Sequence, residues 1–485
     1  MNRTTALALA ALSLFALLTP SCATNPVTGR REISLVSGAQ EEQIGREGLP
    51  AVIAEYGRYD VPAVQALVDS VGWRLARVSH MPSLDWHFTV LDDQTVNAFA
   101  MPGGYIYVTR GILAHLNSEA QLAGVLGHEI GHVTHRHTAA AITRQQLYGL
   151  GLGVASALSS SVRQYSGAAQ QALGLLFLRY SRENENEADQ LGVDYATKAG
   201  YDPREIPNTY AMLKRVSEAA GQRMPAFLST HPDPGDREAR TTELARVAAA
   251  GKAGLVIRQR DYEQRLEGVV FGADPRQGYF EGAHYYQPAM GFEMAFPAGW
   301  QYQDTRSAVS AGISGGAAMM QLSLVANEHG APLEYVNRQV AAAKFSRASG
   351  AAERIGGYDA WAGRVSVTKS DGTPATYDAI YVRKGADQLF QILGLSAQPG
   401  DANDQAIFAS ARSFRALADA ARLDPQPQRV HVVASPAAAD FQTILGRLGP
   451  QALKPEETAV INNLQLDENV GKGQLIKIVL PGRTR

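Results

Sequence analysis

The 485-residue chain is predicted to be an α+β protein: a mainly helical unit with a small β-sheet, then an α+β domain, then a small C-terminal module. Three observations predict this. An apolar stretch with helical spacing runs from Ala120 to His135, with Glu129 as its only formal charge. Short strand-like runs precede it, Trp86–Leu91, Asn97–Ala100 and Tyr105–Thr109, arranged around the turn Met101-Pro102-Gly103-Gly104. Beyond Gly251 the character changes to a glycine- and aromatic-rich stretch and then to strand-like alternation.

Taken in order, the chain opens with Arg3 and a small, apolar run from Ala6 to Leu18, broken by Ser13. That run is too short to span a bilayer but has the form of a secretory signal. Cys22, the only cysteine, follows directly. Its position resembles the lipid-acceptor cysteine of bacterial lipoproteins, and we take it as the lipid attachment site. Thr19 and Pro20 depart from that signal, so ordinary cleavage near Ala23 stands as the other reading. Ala23, rather than Asp, resembles the pattern sent to the outer membrane. A polar linker to about Gly38 leads to two amphipathic helices, Ala39–Tyr56 and Pro62–Ser79. The stretch Thr138–Gln170 reads equally as a long helix or a loop, and a strong helix is expected over Gln171–Ala199.

Downstream, strands are expected at Phe292–Phe296, Met319–Val325, Ala379–Val382 and Leu389–Leu393, with helices near Pro332–Ala343 and Asp404–Ala416. Asp424-Pro425-Gln426-Pro427 is a linker. The expected units are a signal over 1–22, a first domain over 23–254, an α+β domain over 255–423 and a C-terminal module over 428–482. A net charge of −2 and a pI near 6.6 give no electrostatic case for nucleic acid or an anionic membrane surface.

Chemistry concentrates in His128-Glu129-Ile130-Gly131-His132. Residues four apart on a helix lie about 40° apart around its axis, so both imidazoles can reach one metal with Glu129 beside them. Burying two imidazoles and a carboxylate is costly unless something pairs them. Gly124, Gly127 and Gly131 flank the histidines and imply close approach of another backbone or a substrate. Two histidines leave a catalytic metal short of ligands, which typically number three. The acidic run Glu183-Asn184-Glu185-Asn186-Glu187-Ala188-Asp189 splits on a helix. Glu183 and Glu187 fall on a face read as solvated; Glu185 and Asp189 fall on a small, apolar face directed inward. Asp189 is suited to holding a ligand histidine by its other ring nitrogen.

His-Glu-Ile-Gly-His followed some fifty residues later by Glu185-Asn186-Glu187-Ala188-Asp189 resembles the zinc metallopeptidase family containing HtpX, BepA and the CAAX prenyl endopeptidases, of gluzincin type. The stretch Asn97–Tyr105, the Ser181-Arg182 lead-in, Thr230-His231-Pro232 with Arg237 downstream, and Asn25-Pro26-Val27-Thr28-Gly29-Arg30 carry the same resemblance. It spans residues 23–285 and is closest in kind to the exported BepA-like members. It implies a zincin-type fold, one zinc ion held by His128, His132 and Glu185, and Glu129 as general base. It also implies Asp189 and Arg237 as supports behind the ligands, and Asn97 and Tyr105 in a substrate cleft. His231 is implied near the zinc, either stabilising the oxyanion or filling the fourth position and keeping the enzyme latent; as sequence, His-Pro-Asp-Pro is also an ordinary turn. The implied setting is the periplasm of a Gram-negative bacterium, with lipid anchoring to the outer membrane. The implied substrates are misfolded or stalled envelope polypeptides.

Tyr105–Thr109 reads equally as an edge against which an extended substrate pairs and as an ordinary buried strand. His135 and His137 are read as structural, at the exposed end of the metal helix. Val430–Gly482 weakly resembles a LysM repeat, whose family binds peptidoglycan-type glycans. The usual opening turn is replaced by Ser435–Asp440, so a structural or docking module is the equal alternative. The competing class of function is a latent-site scaffold or chaperone that docks envelope assembly machinery.

Overall fold

The computed structural model describes residues 21–151, 174–175, 180–220, 227, 231, 234–325, 327–369 and 372–482. It opens on a hairpin of β1 (Ser21–Thr24) and β2 (Arg31–Ser34). α1 (Gly38–Tyr56) starts at Ser37, whose side chain accepts from the Gln40 backbone in a capping box, and α2 (Pro62–Ala76) starts with Pro62 at its first position. β3 (His87–Leu91), β4 (Ala98–Met101) and β5 (Tyr105–Thr109) form a three-stranded sheet in the order β3-β5-β4. β5 is therefore central, parallel to β3 and antiparallel to β4, and buried along its whole length. Both of its hydrogen-bonding edges are taken, so the reading of Tyr105–Thr109 as an edge for substrate pairing is corrected; the outer strands of the sheet are β3 and β4.

α3 (Arg110–His115) and α4 (Glu119–Thr134) pack on this sheet. The further helices of this unit are α5 (His137–Gly151), α6 (Arg182–Lys198), α7 (Ile206–Ala220), α8 (Pro234–Ala249) and α9 (Gln259–Arg265), with α6 and α7 packed on α4. α6 begins at Arg182, not near Gln171, because the Ser181 hydroxyl accepts from the Asn184 backbone and starts the helix there. The stretch 138–170 is helical to Gly151; its remainder lies outside the described residues, as does the run Ala6–Leu18. The first core gathers Val68, Val71, Ile106, Leu126, Ile130, Tyr195 and Leu213. It continues past residue 254 into Tyr262, Leu266, Val269 and Val270, and takes in Val430.

Next, β6 (Tyr279–Glu281), β7 (His284–Gln287) and β8 (Phe292–Ala295) form an antiparallel meander. A seven-stranded antiparallel sheet follows from β9 (Gln301–Asp304), β10 (Ala308–Gly312), β11 (Ala318–Val325), β12 (Arg347–Ile355), β13 (Tyr358–Thr368), β14 (Pro374–Arg383) and β15 (Leu389–Ser396). Its strand order is β12-β13-β14-β15-β11-β10-β9. Alternation along β14 sends Ile380 and Val382 to one core and Ala379 and Tyr381 to another. α10 (Pro332–Ala341) covers the second of these through Tyr335 and Val336, and α11 (Ala402–Arg412) covers the first through Ile407. β16 (Arg415–Ala416) pairs with β8.

At the C-terminus, β17 (Arg429–Ala434) pairs antiparallel with β20 (Leu475–Leu480). Between them lie β18 (Ala439–Asp440), α12 (Phe441–Arg447), α13 (Pro455–Ile461) and β19 (Asn469–Val470). This module sits on the first core: the buried Lys477 Nζ donates to the carbonyls of Ala114 (2.9 Å) and Leu116 (2.6 Å) at the end of α3. Among the described residues no helix is long and apolar enough to cross a membrane.

Candidate metal centre

α4 carries the His-Glu-Ile-Gly-His pentad and is buried from end to end, with Ser118 capping its start by accepting from the Gln121 backbone. α6 lies against it at backbone distance. A Cβ on Gly127 would stand 3.0 Å from the Gly192 carbonyl oxygen, and one on Gly192 would stand 3.0 Å from the His128 nitrogen. Of the two readings of these glycines, the structure has another backbone there. This seam brings the inward face of α6, with Glu185 and Asp189, over the histidines.

Four side chains converge. His128 Nε2 and His132 Nε2 are 3.0 Å apart; the first is 3.6 Å from Glu185 Oε2 and the second 3.6 Å from Glu185 Oε1. His231 Nδ1 is 3.4 Å from His128 Nε2 and 3.0 Å from Glu185 Oε1. All four ligand atoms lie within 4.8 Å of one another, and their residues are buried. Metal–nitrogen and metal–oxygen bonds of about 2.0–2.1 Å put tetrahedral ligands about 3.3 Å apart, close to these separations. The tautomers agree: His128 Nδ1 faces Asp189 Oδ1 at 3.0 Å, which places its proton there and leaves Nε2 unprotonated toward the cluster. The donor set fits a metal ion.

Glu129 is 1% exposed, and its Oε1 makes no hydrogen bond among the described residues. Burial pushes its carboxyl above the usual range, against the pull of His231 and His128. His231 Nε2 is 3.7 Å from that oxygen. Glu185 behaves oppositely: burial works against its charge, but His231, Arg237 and His128 hold it down at about 2. Asp189, also opposed by burial, is held far below the usual range by Arg237 and His128. Arg237 is 2% exposed and ties the two acids together, Nη1 to Glu185 Oε2 at 2.7 Å and Nη2 to Asp189 Oδ1 at 2.6 Å. It lies over the Tyr210 ring at 4.5 Å, and the Tyr210 hydroxyl donates to Asp189 at 2.7 Å. Arg240 also pairs with Asp189. Tyr180 stacks on His132 with ring centroids 4.0 Å apart, and Phe227 stacks on His231 at 4.5 Å.

The structure thus brings together His128, Glu129, His132, Glu185, Asp189, His231 and Arg237. Asn97 leads into β4, which packs on α4, and Tyr105 instead stacks on His87 with centroids 4.3 Å apart. Cys22 lies in β1 opposite Ile33. His137 is corrected: it is not at an exposed end but 2% exposed, its Nδ1 2.9 Å from His132 Nδ1. Glu187 is likewise not wholly solvated, since one oxygen meets His137 Nε2 at 3.1 Å. Tyr180, Tyr210, Phe227 and Arg240 carried no signal in the sequence beyond Tyr180 standing next to the Ser181-Arg182 lead-in.

A helix-borne histidine pair joined by a glutamate from a second helix, with a free buried carboxylate beside them, defines a metallopeptidase-type centre. Residues 62–245 match the family model described as Peptidase family M48, and this segment is a domain of that family. The chain is 34% identical to the mitochondrial metalloendopeptidase OMA1 of Arabidopsis thaliana, over 38% of this chain and 36% of that protein. It is 33% identical to the OMA1 protein of Schizosaccharomyces pombe, over 43% of this chain and 61% of that one. It is 29% identical to the beta-barrel assembly-enhancing protease of Escherichia coli strain K12, over 45% and 46%. The chain therefore spans between 36% and 61% of the length of these relatives.

Proposed function

We propose that this chain is a zinc endopeptidase of the bacterial cell envelope, with His128, His132 and Glu185 as ligands and Glu129 as general base. One observation carries the reading: the ligand atoms of two histidines and a glutamate, all within 4.8 Å of one another, stand beside a buried carboxylate with an uncommitted oxygen. Zinc held there supplies Lewis acidity toward a carbonyl oxygen and lowers the pKa of a water. Glu129, kept basic by its dry surroundings, takes a proton at Oε1 and returns it to the leaving amine. His128 is kept in the ligand tautomer by Asp189, and Asp189 is kept ionised by Arg237. The name of the Escherichia coli relative supports substrates among outer-membrane proteins under assembly, here misfolded or stalled ones. The position of Cys22 after an apolar run supports a lipid anchor in the outer membrane facing the periplasm. The packing of Lys477 on the first core supports a structural role for the LysM-like module within this chain.

A second reading, a latent site, is favoured by His231: its Nδ1 stands at the fourth vertex, within 3.4 Å of His128 Nε2 and Glu185. The test is zinc stoichiometry together with cleavage of unfolded casein by wild type, Glu129→Gln and His231→Ala. One zinc per chain with cleavage abolished in Glu129→Gln is expected. Zinc-free wild type, or equal cleavage by Glu129→Gln, overturns the peptidase reading. Faster cleavage by His231→Ala supports latency. Fatty-acid labelling that persists without Cys22 removes the anchor.

A further inference from the structure

The two ligand histidines are backed differently. His128 Nδ1 meets a carboxylate directly, Asp189 at 3.0 Å. His132 Nδ1 meets another histidine, His137, at 2.9 Å. Five residues along an unbroken helix would put His137 about 140° around the axis from His132. They meet because Arg136 takes φ +59°, a left-handed conformation unusual for arginine, and turns the chain back beneath α4. That turn is secured from outside: Arg136 Nε donates to Glu41 Oε1 at 2.7 Å, and its Nη2 donates to the Val36 carbonyl at 2.8 Å. A strained backbone held by two long-range contacts points to a local purpose.

Protons can be assigned along the chain of contacts. As a ligand His132 presents an unprotonated Nε2, so its proton sits on Nδ1 and is donated to His137 Nδ1. His137 then carries its own proton on Nε2 and donates it to Glu187 Oε2 at 3.1 Å. On the other side, the Asn25 amide donates to His135 Nδ1 at 3.2 Å, leaving His135 Nε2–H toward Glu187 Oε1 at 3.7 Å. His135, His137 and Glu187 have the composition of a second metal site. In these tautomers, however, both Nε2 atoms are donors and neither offers a lone pair.

We propose that His137 and Glu187 are positioning residues for the metal centre: a histidine–carboxylate relay that fixes the ring orientation and tautomer of His132. The inference rests on the reading of His132 as a metal ligand. Orienting groups behind a ligand histidine typically contribute about 10–100-fold in metal affinity. Asparagine places its Oδ1 where His137 has Nδ1 and so keeps an acceptor for His132.

The test is zinc affinity of the full chain by competition with a chromogenic chelator, with the cobalt(II) absorption spectrum as a second readout, for wild type, His137→Phe, His137→Asn and Glu187→Ala. Expected are one metal per wild-type chain, affinity about 10–100-fold weaker in His137→Phe with an altered cobalt spectrum, and recovery to within about threefold in His137→Asn. Glu187→Ala, at a half-exposed position, should fall between these and carries the test if His137→Phe does not fold. Wild-type affinity in His137→Phe and Glu187→Ala overturns the relay, whatever happens to their melting temperatures. Two metals per wild-type chain also overturns it, because His137 would then be a ligand. Wild type that binds no metal sinks the ligand reading itself, a distinct failure.

Discussion

The first core and the seven-stranded sheet are both dry, yet they bury different chemistry. Around α4 and α6 the interior holds His128, Glu129, His132, Glu185, Asp189, His231 and Arg237. The sheet instead packs Ile380, Val382, Phe390, Ile392 and Phe414. Its buried acids, Asp378 and Asp404, sit at the periphery and share Arg364, whose side chain is 38% exposed. Removing charges from water costs several kcal/mol per ion unless each finds a partner. The first region meets that cost with a closed network in which Arg237 bridges two carboxylates and each carboxylate meets a histidine. The lesson is that a large dry polar cluster marks the site, while an equally dry apolar core marks only stability.

The sharpest way to break the contrast is Glu129→Gln, which removes a buried carboxylate whose Oε1 makes no hydrogen bond among the described residues. Cleavage should fall about 10²–10⁴-fold while zinc stoichiometry holds, as read by single-turnover assay and metal analysis. Next, Arg237→Met leaves Asp189 and Glu185 with fewer partners in a dry setting. Unfolding in urea should show a loss of about 3–5 kcal/mol together with weakened metal binding; loss of stability without any change in binding would separate Arg237 from the site. Phe390→Ala in the sheet should lose about 3 kcal/mol through the cavity it leaves, with zinc affinity unchanged, since distant sites act independently. A shift in affinity would show that the two regions are coupled.

A last contrast concerns Lys477 at the module seam, where the effect is spread over a range of pH. Burial pushes its ammonium down to about 7, against a pull from Glu263. Between that value and the ordinary lysine value near 10.5, the unfolded chain binds a proton that the folded chain does not. Stability owed to this residue therefore rises with pH across that window. Compared with Lys477→Met, wild type should gain up to about 1.4 kcal/mol per pH unit above pH 7, measured by urea unfolding at stepped pH. A constant difference would mean that Lys477 stays charged in the fold.

Much of this was legible in the residues. Helix geometry is local, so a spacing of four was enough to pair His128 with His132, and a split of faces was enough to turn Glu185 and Asp189 inward. Glycines flagged the close seam before any partner was known, and alternation marked β8, β11, β14 and β15. Tertiary structure decided what depends on pairing and on rare backbone conformations. Strand order made β5 central, because nothing along Tyr105–Thr109 records which neighbours it will have. His231 reached Glu185 and His128 from 46 residues beyond Glu185. His137 came to rest on His132 through a left-handed arginine that no residue preference predicts, held there by Glu41 from 95 residues away. Local periodicity specifies which side chains share a face; only the folded chain determines which faces meet.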